Sequence, residues 1–332
     1  MNNSEIFDIQ RRLFEEIQKI IPAHRILVEI ISDVLDTGRD SAYRRIRCEK
    51  LLNIKELHVL CQHFHISFDM LAGIKNIRQF DCTYRPINIS IHDEYYQYML
   101  SLSKNVEKLK TSSDSSILMS TMDIPMFHLI EQKELTFFKL YTWAQSVYDY
   151  KGSINDFMKE IETPELLSCY QKIISNYELV PSTEIWTENS IHTTLKLIGY
   201  YVDIYSFPNK ELPLLLCEQV LNIVNKLQKW TENGMKGERT TAYKLYVSEM
   251  EPENTYILMK QSGATNCVVK LYTINSLNVF DEAFCREAET WLTKLAKRSV
   301  LLCGSSEKER IKFFNLQRQN VRLLMEKIQH SF

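Results

Sequence analysis

Glycine and proline are scarce in this chain, and their scarcity limits the folds that it can adopt. Each occurs only eight times among 332 residues. A sandwich or barrel of many short strands needs tight turns, which is where these two residues concentrate. Apolar residues instead recur at helical spacing over long stretches, as in residues 4–21 and 307–328. The sequence therefore predicts a mainly α fold.

Breaks in the helical pattern divide the chain into four predicted segments. These are a five-helix head at 1–78, a linker at 79–91, a large helical region at 92–234 and a small α+β region at 235–332. In the last segment, alternating apolar residues predict three strands, at 242–249, 255–261 and 267–274. Because the links between them are short, we expect these strands to form an antiparallel meander.

Charge, hydropathy and cysteine usage indicate the cellular compartment of the protein and limit how it could bind DNA. The formal net charge is −2, so DNA affinity would have to come from a local basic patch rather than from an overall field. There is no run of 18 or more apolar residues, and the N-terminus lacks the apolar core of a signal peptide. The eight cysteines include no C-x-x-C pair, which is typical of free thiols in a reducing compartment. We therefore expect a cytoplasmic protein with no membrane association.

The most specific segment runs from Leu35 to Ile46, where an apolar helix end is followed by a turn and a short basic helix. At about 100° per residue, Ala42 and Ile46 share one face of this helix and would anchor it to the head. Gly38 is expected to supply the turn, because glycine adopts left-handed or open conformations at little cost.

The opposite side of this short helix carries residues that suit DNA. Those expected to face outward or to lie on the flanks are Asp40, Ser41, Tyr43, Arg44, Arg45 and Arg47. Arg39 lies at the N-terminal end of the helix, which is the part of a recognition helix that reaches base edges. Arginine can pair bidentately with guanine or clamp a phosphate. Lys50 in the next loop and Lys55 in the next helix would contact phosphates. This set is the predicted DNA interface.

A wider set of positions follows a known pattern. They are Leu35, the turn Asp36-Thr37-Gly38, Ser41, Ala42, Arg44, Ile46 and the ending Ser67-Phe68-Asp69-Met70-Leu71. On these positions, residues 22–75 resemble the lambda-repressor-like (Cro/C1-type) helix-turn-helix domains. In that family glycine usually follows the leucine directly, whereas this chain has Asp36 there. The resemblance implies that the third helix, Arg39 to Arg47, enters the major groove, often within a two-fold dimer. The rest of the chain resembles only uncharacterised bacterial regulators.

These observations predict a sequence-specific transcription regulator that binds double-stranded DNA. We expect a homodimer, because one short helix reads too few base pairs for useful specificity. The C-terminal region would provide dimerisation or the sensing of a small-molecule or protein effector. The alternative is a protein-interaction module whose head docks a protein partner without binding DNA. A salt titration of binding to duplex DNA separates the two.

Other polar clusters are weaker signals. His58, Cys61, His63 and His65 could suggest a metal, but they do not share one helix face, so no metal site is predicted. Asp123 and His128 form a polar pair without an identifiable nucleophile, and the chain lacks known catalytic or phosphate-binding motifs. We therefore expect neither an enzyme nor a cofactor. The aromatic residues within 134–205 could form either a core or a ligand pocket.

Overall fold

The chain divides into two compact units, with the division between residues 81 and 82. The structure, a computed structural model, describes residues 3–21, 26–73, 80, 82–112, 114–237 and 241–332. The predicted boundary at residue 78 lies outside the described residues.

The first unit is helical. Its helices are α1 (Asn3–Ile20), α2 (Leu27–Val34), α3 (Arg39–Ile46), α4 (Ile54–Phe64) and α5 (Phe68–Ala72). Two starts are set by side-chain caps, since the Asn53 side chain accepts from the Glu56 amide and Ser67 accepts from the Met70 amide. All five helices contribute to one core, whose fully or nearly buried members include Leu13, Ile17, Ile31, Ala42, Leu60 and Leu71.

The second unit combines helices with a sheet. Its helices are α6 (His92–Thr111), α7 (Met126–Leu129), α8 (Lys133–Tyr148), α9 (Ile154–Ile161), α10 (Pro164–Tyr177), α11 (His192–Asp203), α12 (Glu211–Asn233), α13 (Glu282–Lys297) and α14 (Glu307–Ser331). Its strands are β1 (Cys82–Tyr84), β2 (Ser116–Ser120), β3 (Ser182–Trp186), β4 (Met235–Lys236), β5 (Thr241–Val247), β6 (Tyr256–Gln261), β7 (Ala264–Lys270), β8 (Ser276–Val279) and β9 (Val300–Leu301).

The strands form one mixed sheet in the described part of the unit. Its order is β1-β8-β7-β6-β2-β3-β5-β4, with β9 paired to β5. The centre is parallel, because β3 pairs in parallel with both β2 and β5. The remaining pairs are antiparallel.

This sheet contradicts the prediction of a mainly α fold ending in a small three-stranded meander. Strands exist near the three predicted positions, but β5 pairs with β3 and not with β6. Moreover, β2 and β3 lie inside the predicted helical region, and β1 lies inside the predicted linker. The predicted segments 92–234 and 235–332 therefore build one sheet together.

Helices cover both faces of the sheet. On one face, α13 packs Cys285, Leu292 and Leu295 against a cluster that includes Ile185 and Leu258. On the other face lies a much larger core drawn from α6 to α12 and α14. Most aromatic residues of 134–205 belong to that core, among them Phe137, Phe138, Tyr141, Trp186 and Tyr201. Tyr200 and Tyr205, by contrast, are exposed.

Candidate nucleic-acid interface

The turn between α2 and α3 is built on Asp36. Asp36 has a φ of 46°, in the left-handed region, which aspartate tolerates better than most residues. Ser32 closes the turn, because its carbonyl accepts from the Thr37 amide at 3.0 Å and its hydroxyl donates to the Thr37 carbonyl. Gly38 has a φ of −69° and open space where a Cβ would lie. The expectation that Gly38 supplies the special conformation is therefore wrong, and Asp36 supplies it.

The inner face of α3 is small and apolar. Ala42 is fully buried and Ile46 packs at the edge of the same core. A small residue at position 42 allows α3 to approach α2 closely, and these two helices are in contact. This packing leaves the opposite face of α3 toward solvent.

The sequence predicted that Arg45 would lie on an accessible flank of α3. This prediction is wrong, because the residue is only 4% exposed. Its guanidinium donates to both carboxylate oxygens of Glu56, from Nε at 3.1 Å and from Nη2 at 2.5 Å. Its Nη1 donates to the carbonyl and the hydroxyl of Ser41. Nε and Nη2 therefore fix α3 onto α4, whereas Nη1 is bonded within α3, so all three nitrogens are engaged inside the unit and are not free to contact DNA.

Glu56 has a second role in the capping box of α4. Its Oε2 accepts from the Asn53 amide at 3.1 Å, while the Asn53 side chain accepts from the Glu56 amide at 2.9 Å. The hydrogen bonds from Arg45 lower the pKa of Glu56 below its ordinary value. The carboxylate therefore stays ionised over a wider pH range and holds Arg45 in place.

Gln10 of α1 supports the same region, a role that the sequence pattern did not predict. Its Nε2 donates to the carbonyls of Arg45 at 2.7 Å and Lys50 at 2.9 Å, and its Oε1 accepts from the Leu52 amide at 2.9 Å. The side chain is buried. It therefore fixes the loop that follows α3. The one signal that could have identified it is an amide located near the apolar stripe of α1.

The outer face of α3 carries the remaining predicted residues. Tyr43, Arg44 and Arg47 are exposed, and the Arg47 guanidinium carbon lies 5.1 Å from the Tyr43 ring centroid. Asp40 is exposed and Ser41 is half-buried. These side chains form a basic, aromatic surface about two helical turns long.

The flanking predicted residues are also accessible. Arg39 pairs with Glu29 at 2.7 Å, and both side chains are largely exposed, so the pair is weak and can exchange for a phosphate. Lys50 and Lys55 are exposed and form no ion pair among the described residues. We call Arg39, Tyr43, Arg44, Arg47, Lys50 and Lys55 the basic face.

Asp123 and His128, the polar pair of the sequence analysis, each contact other side chains of the second unit. His128 and its partner Glu184 are both buried. His128 Nε2 lies 2.9 and 3.0 Å from the two oxygens of Glu184, which is fully buried. Tyr177 and Trp186 also donate to Glu184. Burial alone would raise the pKa of Glu184, but His128 and these hydrogen bonds hold it below its ordinary value.

Asp123 is likewise engaged, by Lys139 and by Thr194, whose hydroxyl donates to it at 2.7 Å. Within the described residues, no group of three or more His, Cys, Asp or Glu side chains is arranged to hold a metal ion. No helix in the described ranges is both long and apolar enough to cross a membrane.

Comparisons with known proteins add no relative. The chain matches no family model. It matches no curated protein and no solved structure.

Proposed function

We propose that this protein is a sequence-specific DNA-binding transcription regulator that places α3 in the major groove. The observation that carries the proposal is the basic face on a helix whose other side is fixed by Ala42, Arg45 and Gln10. A rigid helix with exposed arginines matches the width and the hydrogen-bonding pattern of the groove. The resemblance of residues 22–75 to lambda-repressor-like domains supports the same function.

The residues divide into two roles under this proposal. Arg44 and Arg47 would contact base edges, and Tyr43 lies beside Arg47 on the helix surface. Arg39, Lys50 and Lys55 would contact phosphates and set the orientation on the duplex. Asp40 and Ser41 lie at the start of α3 and would contribute to base choice. Arg45 is assigned no DNA contact because its donors are used within the unit.

We also propose that the protein acts as a homodimer in the cytoplasm. Two copies would read two half-sites, which multiplies the specificity of one short helix. All eight cysteines are free, which suits a reducing compartment. The second unit would provide dimerisation or respond to an effector.

The test is selection of a binding site followed by a salt titration. The purified full-length protein is incubated with random duplexes, the bound fraction is enriched and sequenced, and affinity for the selected duplex is measured by fluorescence anisotropy. We expect one enriched motif and an affinity that falls steeply as salt rises, because the basic face displaces counterions from phosphates. Absence of binding at low salt would reject the proposal and favour a head that docks a protein partner.

A further inference from the structure

The second unit contains a cavity of about 490 Å³ between α6 and one face of the sheet. This volume falls in the range of small-molecule sites. On the helix side, Tyr98, Ser101 and Asn105 line it, at the three- and four-residue spacing that shares one helix face. On the sheet side, alternate residues of three neighbouring strands β6, β7 and β8 line it, among them Asn266 of β7 and Asn278 of β8.

One polar group of this cavity lacks a partner. The Asn266 side-chain oxygen is buried and accepts no hydrogen bond within the described part of the protein. A buried acceptor without a donor is costly, so such groups are rare in native proteins and call for an explanation. A ligand that carries an N–H or O–H donor would supply the missing partner once the Asn266 side chain turns this oxygen into the cavity.

Two side-chain amides lie on the same face of the sheet at a suitable separation. Val268 is directly opposite Asn278, so Asn266, two residues earlier on β7, is the diagonal neighbour of Asn278. Diagonal neighbours of this kind lie roughly 7 Å apart. Each amide offers both a donor and an acceptor, so the pair can bind two polar edges of one planar ring system.

The rest of the lining combines apolar surface, uncharged polar side chains and two opposite charges. Met259, Val268 and Phe127 provide apolar surface, and Tyr98 adds a ring with a hydroxyl group. The two charged residues that line the cavity, Arg85 and Glu94, have opposite signs and so do not select an ion. This combination suits an uncharged flat molecule with polar edges.

We propose that this cavity binds an uncharged planar nitrogen heterocycle of purine size, with adenosine and guanosine as representative ligands. The Asn266 oxygen accepts a ring or exocyclic N–H, Asn278 bonds the other edge, and the apolar residues contact the ring faces. The proposal does not depend on DNA binding by the first unit.

The experiment measures binding of adenosine and guanosine to the full-length protein by isothermal titration calorimetry and by thermal unfolding. All four tryptophans, Trp143, Trp186, Trp230 and Trp291, lie in the second unit, so their fluorescence reports unfolding of that unit. At a nucleoside concentration of 100 Kd we expect the midpoint temperature to rise by about 5 °C. Indole, which has a similar flat surface and a single donor, is expected to bind at least about tenfold more weakly.

Two variants test the assignment of residues. Asn266→Leu removes the unpaired acceptor, so we expect the ligand-free midpoint to stay the same or rise while nucleoside affinity falls about tenfold or more. Thr265→Val, at the preceding position of β7 and on the other face, should change neither. Absence of binding by both nucleosides, unchanged affinity of Asn266→Leu, or equal affinity for indole would overturn the proposal. A lowered ligand-free midpoint of Asn266→Leu would also overturn it, because the amide would then serve the fold.

Discussion

The Glu56 carboxylate accepts two hydrogen bonds from the Arg45 guanidinium, and the oxygen that bonds Arg45 Nε also bonds the Asn53 amide. One side chain therefore caps α4 and holds α3 against it. The arginine sits among those predicted to contact DNA, yet it supports them from inside. A basic residue of α3 is thus part of the scaffold of the first unit.

The first prediction concerns the DNA contacts. Replacing Arg44 or Arg47 by alanine should weaken binding to the selected duplex by about 1–3 kcal/mol if the arginine pairs with a base. The two side chains are exposed, so the fold should be unaffected. Fluorescence anisotropy measures the loss, and Arg12→Ala, an exposed arginine of α1, is the matched control. Affinity that stays unchanged in both variants would remove α3 from the interface.

The second prediction concerns the ion pair by which Glu56 holds Arg45 in place. Glu56→Gln leaves the buried guanidinium without its counter-charge, and we expect the first unit to lose roughly 2–3 kcal/mol. Hydrogen exchange of the full-length protein, read in peptides from residues 27–73, measures this change. Glu49→Gln, an exposed carboxylate in the loop after α3, is the control. Equal protection from hydrogen exchange in the two variants would show that the stability of the first unit does not depend on the Arg45–Glu56 pair.

The same pair predicts a dependence on pH. Because the pKa of Glu56 is lower in the folded state than its ordinary value of 4.5, its contribution is complete above that value and is lost as the pH falls through the lowered pKa. In wild type, hydrogen-exchange protection corrected for the intrinsic rate should therefore drop at acid pH. The difference between wild type and Glu56→Gln should shrink over the same interval. A constant difference would contradict this linkage.

A further prediction concerns Gln10. In the loop after α3, Gln10→Ala leaves the Lys50 carbonyl and the Leu52 amide without a partner, at a cost of about 1–3 kcal/mol, while the Arg45 carbonyl keeps its hydrogen bond from the Cys48 amide. Exchange should accelerate in that loop, and DNA affinity should fall because Lys50 is less well positioned. Gln18→Ala makes the same change at an exposed site of the same helix. If both variants behave alike, the loop is held by other contacts.

The last prediction uses a lysine of the second unit. Burial lowers the pKa of Lys236 to about 7, and its Nζ donates to the Tyr177 carbonyl at 2.7 Å. Between about pH 7 and the unfolded value of 10.5, the unfolded chain holds a proton that the folded protein lacks, so stability should rise with pH. The slope approaches about 1.4 kcal/mol per pH unit.

Urea unfolding followed by tryptophan fluorescence measures this slope between neutral and mildly alkaline pH. Lys236→Met should remove the contribution of Lys236, whereas the exposed Lys229→Met should retain it. The difference between the two variants isolates Lys236 from other groups that titrate in the same interval. Parallel pH profiles would show that Lys236 remains charged in the folded protein.

The helices of the first unit could be predicted because their signals are local. Apolar spacing in α1, and the caps Asn53 and Ser67, depend only on neighbours a few residues away. The roles of Arg45 and Gln10 could not be predicted, because the partners that they contact outside their own helices lie 11 to 42 residues away in sequence. Helical geometry alone places Arg45 on a flank and does not show whether α4 covers that flank.

The sheet of the second unit escaped prediction for a related reason. β2 and β3 have only five residues each, and β3 contains Glu184, a residue that is untypical of a buried strand. Its burial is possible only because His128, Tyr177 and Trp186 surround it. Two parallel neighbours are separated by a long connection in the sequence. Short-range periodicity therefore cannot reveal which strands pair.

The pairing of β1 with β8 brings Cys82, the first residue of the second unit, beside Val279, after which only α13, β9 and α14 follow. During synthesis on the ribosome, the unit has to emerge as far as β8 before this edge of the sheet can close. The head is made earlier and contains the partners of its own buried groups. Because translation proceeds from the N-terminus, the two units can fold one after the other, the helical unit first and the sheet-containing unit afterwards.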